Sequence, residues 1–192
     1  MATGEVIDVT LQVVDVFEEL GLPYLVGGSL ASSLHGIPRA TQDVDIVVQL
    51  SLGDVKPLVQ ALEATFYIDA DMIKEAIRAR SSCNIIHLAT MFKVDLFILK
   101  DEPLARHEMA RRQRFLLPGL GERSLVVASA EDIILQKLIW YRLGNQISER
   151  QWKDVLGVLK VRQGALDRDY LDQMAKANGL SDLLLEAFGQ AQ

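Results

Sequence analysis

Residues 24–49 read YLVGGSLASSLHGIPRATQDVDIVVQ. A short apolar run meets a glycine pair, Gly27 and Gly28, and a helical stretch follows. An alternating segment then carries Asp43 and Asp45. Successive side chains of a strand point to opposite faces, so Asp43 and Asp45 share one face while Val44 and Ile46 take the other. Two carboxylates this close repel each other unless a cation lies between them. The rest of the chain must supply that cation's chemistry.

FKVDLFIL, residues 92–99, follows the same logic. Val94, Leu96 and Ile98 turn to a core, which leaves Lys93 and Asp95 on the other side. Beside residues 43–48, Asp95 completes three oxygen donors suited to Mg²⁺ or Mn²⁺. The plainer alternative is a salt bridge from Asp95 to Lys93. The glycine pair supplies the other half of a site: Gly27 and Gly28 let the backbone approach a ligand closely. Ser29 adds a hydroxyl at a helix N-terminus, where exposed N–H groups and the helix dipole favour a phosphate. Metal and phosphate seat together suit a nucleoside triphosphate attacked in line at its α-phosphorus. Arg39, lying between seat and carboxylates in sequence, is placed to meet charge on the leaving pyrophosphate.

At these residues the sequence resembles the nucleotidyltransferase superfamily typified by DNA polymerase β. Gly28 and Ser29 are followed by thirteen residues, then Asp43-Val44-Asp45-Ile46, with a later strand carboxylate at Asp95. GGSLASSLHGIPRATQDVDIVV looks most like small bacterial and archaeal members, including AbiEii-type toxins of toxin–antitoxin systems. Those similarly carry Arg-x-Thr-x-Asp-x-Asp, matched by Arg39, Thr41, Asp43 and Asp45. Their helical C-terminal part bears a lysine and a basic–Asp pair, for which Lys137 and Asp154 are the counterparts. The resemblance implies an α/β (α+β) nucleotidyltransferase fold, a mixed sheet flanked by helices, with metal-dependent transfer of a nucleoside monophosphate from an NTP to an acceptor hydroxyl. It assigns Asp43, Asp45 and Asp95 to metals, and gives Asp95 a share in deprotonating the acceptor. The acceptor stays open among RNA, protein and a small molecule of the antibiotic type, and a cognate antitoxin is a possible partner. The rival of another class is a non-catalytic nucleotide- or partner-binding module of the same fold.

Composition narrows the setting. Hydrophobic residues at 49%, charged ones at 24% and five prolines describe a globular chain rather than a disordered one. No apolar run reaches the roughly 20 residues a membrane helix needs. The acidic start MATGEVIDVT lacks the basic end of a targeting segment, so a cytoplasmic location is expected. Twenty Lys and Arg against 26 Asp and Glu give a formal charge of −6, so nucleic-acid contact has to be local. ARHEMARRQR, with Arg106, Arg111, Arg112 and Arg114, is one such patch, or else a solvated helix face. Cys83 has no disulfide partner and sits in an apolar run, as an inert buried thiol would.

Periodicity predicts helices over residues 5–20, 29–36, 54–65 and 69–80, and strands at 24–27, 43–50, 66–68, 83–90, 92–99 and 123–129. The strands at 83–90 and 92–99 read as a hairpin. From Ser129 the pattern is helical, opening with Ser129 and Asp132 as a capping box. The expected division is therefore a nucleotidyltransferase domain over 1–128 and a helical extension over 129–192 packed on it. Gly36 reads as the residue that ends the second helix. Trp140 and Trp152, set among Leu and Ile, read as core, and Lys137 on its apolar helix either snorkels outward or reaches a nucleotide.

Overall fold

The computed structural model describes residues 3–117 and 119–191. It divides into two compact units, one of residues 1–27 and 40–127, the other of residues 28–39 and 128–192. No helix among the described residues is long and apolar enough to cross a membrane.

The first unit holds a seven-stranded mixed sheet. Its strands are β1 (Tyr24–Val26), β2 (Asp43–Val48), β3 (Phe66–Tyr67), β4 (Ser82–His87), β5 (Lys93–Ile98), β6 (Gln113–Leu116) and β7 (Ser124–Val127), in the order β3-β4-β5-β2-β1-β7-β6. β4 and β5 form the expected antiparallel hairpin, and β2 lies parallel to β5. Alternation builds the core: Val44, Ile46, Val48, Val94, Leu96 and Ile85 lie on the apolar face, and all are fully buried. Helices α1 (Thr3–Glu19), α3 (Val55–Leu62) and α4 (Ala70–Ala79) pack with these strands and with one another. Phe17, Leu58, Leu62 and Ile73 complete the buried layer. α4 starts where the Asp69 carboxylate accepts hydrogen bonds from the backbone N–H groups of Asp71 and Met72. Helix α5 (Pro103–Arg111) takes up most of the basic segment, Arg112 links it to β6, and β6 takes Gln113 and Arg114. Cys83 is buried, which pushes its thiol up to about 11, with Asp95 adding to the shift.

The second unit is helical: α2 (Gly28–His35), α6 (Ala130–Leu143), α7 (Glu149–Arg162), α8 (Arg168–Ala177) and α9 (Ser181–Gln190). Ser129 caps α6 by accepting from the Asp132 N–H. Its hydroxyl also donates to the Asp132 carboxylate at 2.6 Å, and Tyr170 donates to the other oxygen at the same distance. Asp132 is therefore fully buried yet bonded on both oxygens. α2 groups with these C-terminal helices, and Gly36 shows how. A Cβ built on Gly36 would stand 2.7 Å from the backbone nitrogen of Val158 and 2.8 Å from the carbonyl carbon of Gly157. Gly36 follows the last residue of α2, as expected; its φ is not left-handed, so what requires glycine there is the close helix crossing. Trp140 corrects another expectation: it is 54% exposed, because it lies on the outward face of α6 while Ile134 and Leu138 take the core. Trp152 is half-buried, stacks against Tyr141 and donates its indole N–H to Gln190.

Candidate functional site

In the sheet unit the acidic residues come together by register. Asp45 pairs directly with Asp95 across the parallel β2–β5 ladder, and Asp43 pairs with Lys93. All four share the face opposite the core, with Asn84 of β4 beside Asp95. Lys93 Nζ lies 2.7 Å from Asp95 Oδ2. Its ammonium is held above the usual lysine range by that hydrogen bond first, against some desolvation, and by the charges of Asp95, Asp43 and Asp45. One of the three carboxylates, Asp95, is thus already paired with a cation supplied by the chain itself, and Asp43 and Asp45 on the same face add to its field. Among the described residues no metal cage stands preassembled. The donor set nevertheless fits a hard divalent ion, since oxygen donors on one open face can exchange a single ammonium for a metal. Thr41 donates its hydroxyl to the Asp43 carbonyl at 2.9 Å and to Asp43 Oδ1 at 3.2 Å, which fixes the start of β2.

Gly27 follows β1, and its N–H is spent on the Asp45 carbonyl at 2.8 Å. A Cβ added there would meet nothing nearer than 3.9 Å. The chain's own packing therefore does not demand glycine, and the open space beside this backbone suits a ligand. Gly28, by contrast, has φ +55, the left-handed region where glycine is unstrained.

The helical unit builds a second cluster around Asp154. Arg39 grips the Asp154 carboxylate at two points, Nε to Oδ1 at 2.7 Å and Nη2 to Oδ2 at 2.8 Å. Lys137 Nζ approaches Oδ2 at 2.9 Å. Lys137 and Asp154 are both buried, so the Lys137 ammonium depends on Asp154, while Asp154 also has Arg39 as counter-ion. Lys137 thus turns inward rather than snorkelling. Burial pushes the Asp154 carboxyl upward, but hydrogen bonds from Arg39 and Lys137 outweigh it and hold the group below the usual carboxylate range. Arg39 Nη2 also donates to Ser29 Oγ, and Arg150 Nη2 reaches the same oxygen at 3.4 Å. Ser29 is buried in the first turn of α2. Arg39 is itself positioned by its backbone N–H, which donates to Ser33 Oγ at 3.3 Å.

Three cations, Arg39, Lys137 and Arg150, therefore surround one carboxylate and a serine hydroxyl at a helix N-terminus. The net positive charge suits an anion. Arg150 carries no signal in the sequence: it stands in SERQWKD, where it resembles any surface arginine of an amphipathic helix. Only the 121-residue separation closed by the fold brings it to Ser29. Asp154 is saturated by its cations, so it acts by holding them.

No family model matches this chain, and no curated protein matches it. Solved structures do. The chain is similar to the antibiotic-resistance factor ANT(2'')-Ia in solution, with a TM-score of 0.54 and 15% identity over 100% of both chains. It is similar to ANT(2'')-Ia in complex with adenylyl-2''-tobramycin, with a TM-score of 0.52 and 15% identity over 92% of this chain and 99% of that one. It is also similar to an antigenic nucleotidyltransferase-like protein from Paracoccidioides brasiliensis, with a TM-score of 0.57 and 16% identity over 94% and 91% of the two chains. Strand order, the acidic face of β2 and β5 and these likenesses agree: the chain has the nucleotidyltransferase fold.

Proposed function

We propose that the protein is a metal-dependent nucleotidyltransferase that moves a nucleoside monophosphate from an NTP to an acceptor hydroxyl. The observation that supports this reading is the Asp45–Asp95 register pair with Asp43 on the same face, oxygen donors beside which the chain sets the Lys93 ammonium against Asp95. Asp43, Asp45 and Asp95 hold Mg²⁺ or Mn²⁺, which supplies charge neutralisation for the triphosphate. Gly27 leaves room for a phosphate, and Gly28 and Ser29 open α2, whose first N–H groups suit an anion. Arg39, Lys137 and Arg150 take up negative charge on the triphosphate and the leaving pyrophosphate, with Asp154 fixing Arg39 and Lys137 in place. The acceptor oxygen forms a bond to the α-phosphorus as the bond from that phosphorus to the bridging oxygen breaks. Asp95 accepts the acceptor's proton, and pyrophosphate departs.

A small-molecule acceptor is the second reading. It is favoured by the likeness to ANT(2'')-Ia, whose complex contains adenylyl-2''-tobramycin. Incubation with α-labelled ATP, CTP, GTP and UTP, Mg²⁺, and separate pools of tRNA, protein and aminoglycoside or lincosamide antibiotics distinguishes the acceptors. Label in one pool, lost on chelation of the metal, supports the proposal. NTP-dependent thermal stabilisation with no transfer to any pool would instead support a binding module of the same fold.

A further inference from the structure

The sheet unit contains a cavity of about 570 Å³ that the transfer chemistry leaves unused. It opens at the far end of β2 and β5 from Asp43, roughly 20 Å along the strand at about 3.3 Å per residue. Its apolar lining includes Leu50, Ile77, Ile98, Leu99 and Met109. Its charged lining is Arg80, Lys100, Arg106 and Arg112 with Asp101. Asp101 is engaged by Arg106 at 3.3 Å and Lys100 lies 3.9 Å from Glu102, whereas Arg112 donates to the Met109 carbonyl and neither it nor Arg80 meets a carboxylate among the described residues. In a chain of formal charge −6 this is a concentrated positive spot over an apolar floor.

Arg80 adds an independent observation. It ends α4 in the left-handed conformation, with φ 47° and ψ 43°, a position that glycine fills without strain. A non-glycine residue there costs backbone strain, and Arg80 is among the residues that line the cavity. The volume falls within the range of small-ligand sites, and a concave apolar floor suits a compact molecule better than a polynucleotide backbone.

We propose that this cavity binds a small organic molecule carrying a phosphate group on an apolar or aromatic body, the phosphate on Arg80 and Arg112 and the body on Ile77, Leu99 and Met109. The site is separate from the carboxylate face, and the proposal does not depend on the transfer reaction.

The test is calorimetric titration of the whole protein with 1-naphthyl phosphate, alongside 1-naphthol and inorganic phosphate as the two halves of the probe. Saturable binding is expected, with each half at least about tenfold weaker, and with amide shifts at Ile77, Leu99 and Met109 by NMR. Arg80→Gly relieves the strained backbone, so its thermal midpoint should equal or exceed that of the wild type while affinity for 1-naphthyl phosphate falls about tenfold or more. Asp45→Asn should bind the probe as the wild type does. Absence of saturable binding, undiminished affinity in Arg80→Gly, or equal loss in Asp45→Asn would overturn the proposal. So would a single-stranded RNA 12-mer that binds and is lost in Arg80→Gly while 1-naphthyl phosphate does not bind, since the cavity would then be a nucleic-acid surface.

Discussion

Replacing Asp154 by Asn tests whether the cation cluster is held by a single buried carboxylate. Asp154 is 8% exposed and meets two cations through three contacts of 2.7, 2.8 and 2.9 Å. Asn keeps the shape and one acceptor oxygen but removes the charge, leaving the 5%-exposed Lys137 ammonium without its counter-ion. Breaking a buried pair from one side costs about 3–5 kcal/mol. At about 2–4 °C per kcal/mol for a chain of this size, the thermal midpoint should fall by at least about 6 °C. Lys137→Met is the contrasting change. It loses one charge-assisted bond but also ends the burial of an ammonium, while Asp154 keeps its two-point contact with Arg39; the net change should stay within about 1 kcal/mol. The pH dependence follows from the lowered carboxyl of Asp154. Its stabilising contribution is complete above the unfolded value of about 4 and is lost as pH falls through the lower folded value. The gap between wild type and Asp154→Asn should therefore be constant from about pH 5 to 8 and narrow below about pH 4. Thermal and urea unfolding across that range is the assay. A wild-type midpoint for Asp154→Asn, or a larger loss for Lys137→Met, would mean that Asp154 does not hold these cations.

Two glycines should behave oppositely. Gly36→Ala places a methyl 2.7 Å from the Val158 nitrogen and should destabilise by about 3 kcal/mol in urea unfolding, because backbone rather than a side-chain tip must move. Gly27→Ala meets nothing within 3.9 Å, so stability should hold while nucleotide affinity in an NTP titration drops. Lys93→Met removes the ammonium that pairs with Asp95 at 2.7 Å, and should tighten Mn²⁺ binding measured by electron paramagnetic resonance by about tenfold. Unchanged Mn²⁺ affinity would mean that lysine and metal do not compete for these carboxylates.

The acidic face was legible because a two-residue period fixes which side chains share it: reading DVDIVV and FKVDLFIL as strands already put Asp43, Asp45 and Asp95 opposite Val44, Ile46 and Leu96. The alternative of a Lys93–Asp95 salt bridge was legible too, and the structure contains it beside the shared face. The Asp154 cluster was only partly so. Nothing local joins Arg39 to a residue 115 positions away, and an arginine bound to a buried carboxylate has the same neighbours in sequence as one exposed to solvent. β6 was missed because Gln113 and Arg114 belong to a run of charges, and its backbone pairing to β7 rather than its side chains makes it a strand. Trp140 misled in the opposite way. An aromatic among leucines matches a core pattern, but the face of α6 that it occupies is decided by what packs on that helix. Gly36 was found as a punctuating residue, while its closeness to Gly157 depends on a helix crossing that no local pattern carries.

Metal-dependent nucleotidyl transfer is tested by label transfer from an α-labelled NTP by wild type and Asp45→Asn, each followed with Mg²⁺ and with the metal chelated. Asp45 stands beside Asp95 in register, so removing its charge relieves repulsion in the metal-free protein and should leave the thermal midpoint level or higher. Metal-dependent label transfer with pyrophosphate release is expected in the wild type, and loss of both in a folded Asp45→Asn. Wild-type turnover in Asp45→Asn, or transfer in the wild type that persists after the metal is chelated, would contradict metal-dependent transfer at Asp45.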